Sequence, residues 1–181
     1  MIALFLILVA ALLFAQAWYL LGLYSDARTM GLIVAALAVG VAATVGGSFD
    51  PVILSKDATL PLVSFRGFVI LWAVYGAAVA AHGLWGFEER AIGFHALFLW
   101  PASMVFVALP WMFDESVISN ETAIVLSGAA TILSFLSAMV FFHLAIPFRE
   151  LRNVAGWFLL IGSVLIGVLG FAVILDVIGA A

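Results

Sequence analysis

Six apolar stretches, each long enough to cross a lipid bilayer, account for nearly the whole of this 181-residue chain. A spanning helix needs about 20 predominantly apolar residues. Hydrophobic residues make up 67% of the sequence and charged residues only 9%, whereas soluble domains carry about 25% charged residues. The sequence therefore predicts an all-α, polytopic membrane protein with a single transmembrane domain over residues 1–181 and helices at about 2–23, 30–47, 64–86, 91–113, 123–147 and 154–178.

The positions of the few basic residues predict how this bundle is oriented. Connectors one, three and five are short, which predicts three tightly turned hairpins on one side of the membrane. These connectors hold four of the basic residues, Arg28, Arg90, Arg149 and Arg152, against Lys56 and Arg66 on the other side. Because basic residues concentrate in cytoplasmic loops, we expect cytoplasmic turns, both termini outside, and a multi-pass location in the plasma or inner membrane.

The overall charge and the residue types exclude several classes of function. A net charge of -4 and a pI near 5.1 argue against a nucleic-acid partner. The absence of cysteine excludes disulfides and thiol chemistry. No acidic residue falls at mid-depth in a predicted span, and Asp176 is placed near the outer interface, so a proton pump or an intramembrane enzyme is disfavoured. His82, His95 and His143 are predicted at the cytoplasmic helix ends without i, i+4 spacing, so neither a metal site nor a cofactor is expected.

The third predicted helix carries the first candidate site. Trp72, Tyr75, Val79 and His82 recur at i, i+3, i+7 and i+10, which places two aromatic rings and an imidazole on one helical face. Gln16 is the only amide in the first span, and a polar residue inside the membrane is a site candidate when it faces a cavity. The alternatives are aromatic core packing for the rings and a helix–helix hydrogen bond for Gln16.

The fifth predicted helix carries a stripe of hydroxyl groups. Ser127, Thr131, Ser134 and Ser137 fall near one face, which is a pore wall in one interpretation. In the other interpretation each hydroxyl donates to a carbonyl of its own helix.

Small residues also recur at helical spacing, in two of the predicted helices. They predict close helix–helix contacts, or oligomerisation where the face points outward. The positions are Ala36, Gly40, Ala43 and Gly47, and Ser163, Gly167 and Gly170.

Two segments of the chain resemble a known family. The opening LLFAQAWYLLG resembles the L–x–x–N–G–x–W–x–L–G start of the AmiS/UreI urea channel and amide transporter family, with Gln16 at the Asn position. The turn WGFEERAIGFHALFL is similar to that family's G–L–D–x–R–x–x–x–W–x–x–L–F segment. The matching residues there are Gly86, Phe87, Glu88, Arg90, Phe94, Leu97 and Phe98.

The resemblance implies a pore through each subunit of a homo-hexameric ring. The chain departs from the family's urea channels at two places: Phe135 lies among hydroxyls where they have a tryptophan-rich fifth helix, and Gly162 stands near their acidic residue. Urea selectivity is therefore not implied. Acid gating in the family uses histidines of the external loops, and connectors two and four contain none, so no activation by external acid is expected.

Together these features predict a passive channel for small neutral solutes, urea or short-chain amides, with the lipid bilayer and further copies of the chain as partners. The predicted pore and solute-binding residues are Gln16, Trp72, Tyr75, His82, Phe94, Ser127, Thr131 and Phe135. The competing hypothesis is a non-conducting accessory subunit that packs against a larger membrane complex.

Overall fold

The computed structural model describes residues 2–23, 26–46, 56–115, 118–146 and 150–175. Within these ranges it contains six helices long and apolar enough to span a membrane, which confirms the predicted number. They are α1 (Ile2–Leu20), α2 (Ala27–Gly46), α3 (Lys56–Trp85), α4 (Glu89–Ala108), α5 (Asn120–Leu144) and α6 (Leu151–Ile174), with a short 3-10 helix (Leu109–Met112) after α4.

Local chemistry explains several helix ends. Gly22 and Gly86 follow α1 and α3 with φ of 70° and 71°, a left-handed conformation that glycine adopts at little cost. Pro110 has no backbone N–H to continue the α-helical ladder, and the chain passes into the 3-10 helix there. At the start of α5, the Ser119 side chain accepts a hydrogen bond from the Thr122 amide, as an N-cap residue does.

The six helices form a closed ring. Each helix packs against its neighbours in chain order, and α1 packs against α6 to complete the circuit. The most extensive contacts join α1 with α6, α2 with α3, and α4 with α5. The helices that pack most closely therefore belong to different hairpins, while the two helices within each hairpin lie against one another less tightly.

Glycines explain why these three pairs are close. A Cβ atom on Gly83 of α3 would lie 2.5 Å from the Ala27 carbonyl oxygen of α2. A Cβ on Gly93 of α4 would lie 2.5 Å from the Ala145 amide nitrogen after α5. A Cβ on Gly170 of α6 would lie 2.8 Å from the Ile7 side chain of α1. In lipid, where the hydrophobic effect between helices is lost, such backbone approach gives the van der Waals contact that holds helices together.

The two small-residue stripes take different positions in the ring. On α6, Ser163 and Gly170 are buried, and Gly167 lies beside Ala10 of α1. On α2, Ala36 and Ala43 are exposed and point away from the ring, whereas Gly40 lies beside Leu8 of α1. Gly47 lies outside the described residues.

The short turns after α1, α3 and α5 share one end of the ring, which we call the turn end. The Arg152 Nε atom of α6 donates to the Leu20 carbonyl oxygen at 3.1 Å, and its guanidinium lies 5.9 Å from the centre of the Tyr19 ring. Gly83 meets the start of α2 at the same end. We call the opposite end, where α2 leads to α3, the linker end.

The helix bounds differ from the predicted ones mainly in α3. This helix begins at Lys56 rather than 64, because hydropathy detects only the apolar part of a helix and Lys56 and Asp57 are polar. Two residues used in the predictions lie outside the described residues: Arg149, one of the basic residues that predict the orientation, and Asp176, predicted near the outer interface.

The glycine contacts lead to a first prediction. Gly83→Ala is expected to destabilise the ring by about 1–3 kcal/mol, since the new methyl group meets backbone atoms that cannot move aside. Gly67→Ala in the same helix is the matched control, because a Cβ there meets nothing within 4 Å. Thermal unfolding in detergent micelles checks both variants. Equal melting temperatures for the two would contradict the close α2–α3 contact.

Asp26 gives a second prediction, on pH. Its carboxylate accepts from the Arg28 and Thr29 amides at 2.8 and 2.9 Å and from the Thr29 hydroxyl, and the Thr29 hydroxyl is the main cause of its lowered pKa. Because the pKa of Asp26 is lower in the folded chain than its unfolded value of 3.8, the ionised carboxylate stabilises the fold. This stabilisation is complete at a pH above 3.8 and is lost as the pH falls through the folded pKa. Asp26→Ala is therefore expected to melt earlier than the wild type at neutral pH. The difference should shrink in acid, and a gap that stays constant would count against this cap.

Candidate functional site

The interior of the ring is lined by one face of α3. Phe68, Trp72, Tyr75 and Val79 are between 1% and 4% exposed, and the His82 side chain, at 18%, closes the row at the turn end. The spacing of three and four residues puts these side chains on one face of the helix. The face predicted from the sequence is thus the inward face of α3.

A hydrogen bond joins this face to α1. The Tyr75 hydroxyl donates to the Gln16 side-chain carbonyl at 2.7 Å, and both residues are buried. Tyr75 lies near the midpoint of the Val63–Trp85 span. This bond uses the carbonyl of Gln16 and leaves its NH2 group as a hydrogen-bond donor. Gln16 therefore makes the predicted helix–helix hydrogen bond and also has a group to offer to a small molecule.

A small cavity continues from Gln16 towards the turn end. Its volume is about 20 Å³, enough for one water molecule. Nine residues from five helices line it: Gln16, Tyr19, Leu20, Met30, Val79, His82, Glu89, Ile92 and Leu144.

His82 stands at the outer wall of this cavity. Its Nδ1 atom lies 2.6 Å from the Phe87 carbonyl oxygen, which can only accept a hydrogen bond, so Nδ1 is the donor. Its Nε2 atom lies 3.2 Å from the Glu89 carboxylate, which is 54% exposed. Gly86, in the left-handed conformation, turns the chain so that both partners face the ring. The polar groups thus run from the exposed turn end to the middle of α3.

His95 of α4 extends the cluster sideways. Its ring stacks on Tyr75 with centroids 6.4 Å apart and planes inclined by 17°, and its Nε2 atom lies 3.3 Å from the Leu71 carbonyl oxygen. The only role weighed for His95 from the sequence was that of a metal ligand. In the structure, the face of α4 that carries His95, Leu99 and Ser103 points inward. These residues are spaced by four, but α4 is apolar on several faces, so hydropathy alone does not identify this one.

Two buried polar atoms on the inward faces lack a hydrogen-bond partner among the described residues: Trp72 Nε1 and Ser103 Oγ. Trp72 is 1% exposed and Ser103 is 0% exposed. Other buried hydroxyls, those of Thr44, Ser137 and Ser163, each donate to a carbonyl of their own helix. An unsatisfied buried group costs about 1–3 kcal/mol.

The structure places the other four predicted pore residues away from this cluster. Phe94 is 60% exposed and Phe135 is 48% exposed, with its ring packed edge-on against Phe158. Thr131 is exposed and donates to the Ser127 carbonyl, as the alternative interpretation of the hydroxyl stripe predicted. Ser127 accepts from the Trp111 indole at 2.7 Å and donates to the Val107 carbonyl at 2.8 Å, so it fixes the 3-10 helix to α5.

The predicted histidines do not assemble into a metal site in the part of the chain that the structure describes. No group of three or more His, Asp or Glu side chains there is close enough to hold a metal ion.

The Gln16–Tyr75 bond yields a third prediction. Tyr75→Phe leaves the Gln16 carbonyl unpaired in the interior, and Gln16→Leu leaves the Tyr75 hydroxyl unpaired, so each is expected to lower stability by about 1–3 kcal/mol. The double variant should lose less than the sum, with a coupling of about 1 kcal/mol. Unfolding in mixed micelles measures the cycle. Strict additivity would show that the two side chains do not interact.

Comparison of the chain with protein-family models, with curated proteins and with solved structures finds no match.

Proposed function

We propose that this chain is a passive facilitator of small neutral solutes, urea or short-chain amides, across the cytoplasmic membrane. The observation that carries the proposal is the Gln16–Tyr75 hydrogen bond at mid-depth, linked by a cavity to His82 and Glu89 at the turn end. These residues form a row of hydrogen-bonding groups that begins at an exposed carboxylate and ends inside a closed ring of helices.

The chemistry of this row suits an uncharged solute. Tyr75 and Gln16 exchange a hydrogen bond at mid-depth without presenting a fixed charge, and His82 and the carboxylate of Glu89 stay at the turn end. A conducted molecule must be bound well enough to enter and weakly enough to leave. Planar amides carry one strong acceptor and several donors, which match a phenol, an amide and an imidazole.

The remainder of the path is closed by apolar side chains. Leu12, Leu99 and Leu133, from three different helices, are fully buried. Passage beyond the Gln16–Tyr75 pair requires these leucines to change rotamer, which limits the path to molecules of a few heavy atoms. The resemblance of the first helix to AmiS/UreI proteins supports the proposal further, since Gln16 stands at the family's Asn position and faces the interior here.

The outer surface suits association with further copies. Ala36 and Ala43 of α2 point outward, and a groove of about 460 Å³ between α2 and α3 is lined mainly by alanines. Close packing at small residues is how helices associate in lipid. We therefore propose a homo-oligomer, with the hexamer implied by the resemblance.

A second candidate function is a non-conducting accessory subunit. The closed leucine packing favours it, as do the large exposed rings of Trp157, Phe158 and Phe171 on α6, which offer contact area to another membrane protein. Purification from native membranes in mild detergent separates the two functions. Co-migration with other proteins in a fixed ratio supports the subunit, and a homo-oligomer alone supports the facilitator.

Flux measurements give the fourth prediction. Liposomes containing the protein are expected to equilibrate acetamide or urea faster than empty liposomes in a stopped-flow light-scattering assay. Gln16→Leu should reduce the added permeability about tenfold, since it removes the mid-depth amide. Phe94→Leu is the control and should leave permeability unchanged, because that ring faces outward. No acceleration by the wild-type protein would overturn the proposed function.

A further inference from the structure

We infer that Trp72 and Ser103 form a second binding station, which takes the carbonyl oxygen of the amide solute on the linker side of the Gln16–Tyr75 pair. This inference rests on the proposed function and names the group of the solute that the path recognises. It starts from the two buried polar atoms that have no partner among the described residues, Trp72 Nε1 and Ser103 Oγ.

The register of α3 and α4 places these two residues at the same level. Phe68 of α3 and Phe106 of α4 stack with centroids 4.3 Å apart. One turn from that stack towards the turn end, α3 carries Trp72 and α4 carries Ser103, because the two helices run in opposite directions. The next pair along, Tyr75 and His95, also stacks. Trp72 and Ser103 therefore lie between two aromatic stacks.

The packing of α3 against α4 explains why a polar station fits here. The pairs α2–α3 and α4–α5 meet through glycines with backbone atoms nearly in contact. The α3–α4 pair is instead held by ring stacks and by the long reach of His95 to the Leu71 carbonyl. Aromatic rings, rather than backbone atoms, therefore fill the interval between α3 and α4. A planar molecule that displaces part of a ring contact there moves a side chain, whereas in the glycine-packed pairs it would have to move backbone atoms.

The two unpaired groups specify an acceptor. An indole N–H only donates, and a serine hydroxyl donates or accepts. Ser103 is further distinguished by not donating to a carbonyl of its own helix, as Ser137 and Ser163 do. A carbonyl oxygen, with two lone pairs, accepts from both groups at once. The station therefore binds the carbonyl of an amide, while its NH2 group is left to move towards the phenol oxygen of Tyr75.

Sulfur replacement tests this assignment. A thiocarbonyl has nearly the shape of a carbonyl but accepts hydrogen bonds poorly. The station predicts that the wild-type protein conducts acetamide in preference to thioacetamide, after correction for the permeability of empty liposomes. Ser103→Ala and Trp72→Phe should each lower that preference about five- to tenfold, since each removes one hydrogen bond to the oxygen. Ser137→Ala is the matched control, a buried serine with a hydroxyl already bonded to the Leu133 carbonyl at 2.6 Å, and should leave the preference unchanged.

Thermal unfolding without solute supplies a readout besides flux. Ser103→Ala is expected to melt no earlier than the wild type, because it removes a hydroxyl that has no partner among the described residues, whereas removal of a structural hydroxyl would lower the melting temperature. Acetamide flux with an unchanged acetamide-to-thioacetamide preference in both variants would overturn the station and leave the proposed function standing. Absence of flux in the wild type would overturn the proposed function and the station with it.

Discussion

The close approach of helix backbones at glycines is the contact on which the rest of this ring depends. Gly83 against Ala27, Gly93 against Ala145 and Gly170 against Ile7 join helices of different hairpins. Short turns already connect α1 to α2, α3 to α4 and α5 to α6, so contacts between hairpins are what closes the circle. Packing is the main attraction available to helices in lipid. A ring closed in this way also fixes which helix faces look inward, and thereby brings Tyr75 of α3 to Gln16 of α1.

The interior divides into two halves with different physical properties. From the turn end to the midpoint of α3, Glu89, His82, Gln16 and Tyr75 offer hydrogen bonds around a small cavity. Towards the linker end, buried leucines fill the ring, and Trp72 Nε1 and Ser103 Oγ are buried there without a hydrogen-bond partner among the described residues. Under the proposed function, a polar molecule enters from the turn end, and the leucine half determines how large a molecule passes. A polar half followed by an apolar half suits a neutral solute that sheds water gradually.

The number of helices and the inward face of α3 could be predicted from the sequence for clear physical reasons. A bilayer demands about 20 apolar residues for each span, and Trp72, Tyr75 and His82 stand out as polar or aromatic positions at helical spacing. The outward positions of Phe94 and Phe135 could not be predicted. In helices that are apolar all round, hydropathy does not indicate which side faces the protein. The inward places of His95 and Ser103 and the close α2–α3 and α4–α5 pairs depend on contacts between distant parts of the chain. Single glycines that allow those contacts look alike in the sequence whether they face a neighbour, as Gly83 does, or open space, as Gly67 does.

The unpaired groups bear on the choice between a facilitator and an accessory subunit. A subunit that serves only as packing has no use for a polar atom buried inside its own ring, and replacing Ser103 with alanine would remove the cost of burying it. Native structures satisfy most buried polar groups, so an unsatisfied one calls for an explanation. At Ser137 and Ser163 the helix itself supplies the acceptor; at Ser103 and Trp72 the acceptor must come from elsewhere. Under the proposed function, a solute that moves through the ring supplies the acceptor while it passes. Two hydrogen bonds to a passing carbonyl would make a weak site, and conduction of a neutral molecule requires weak binding.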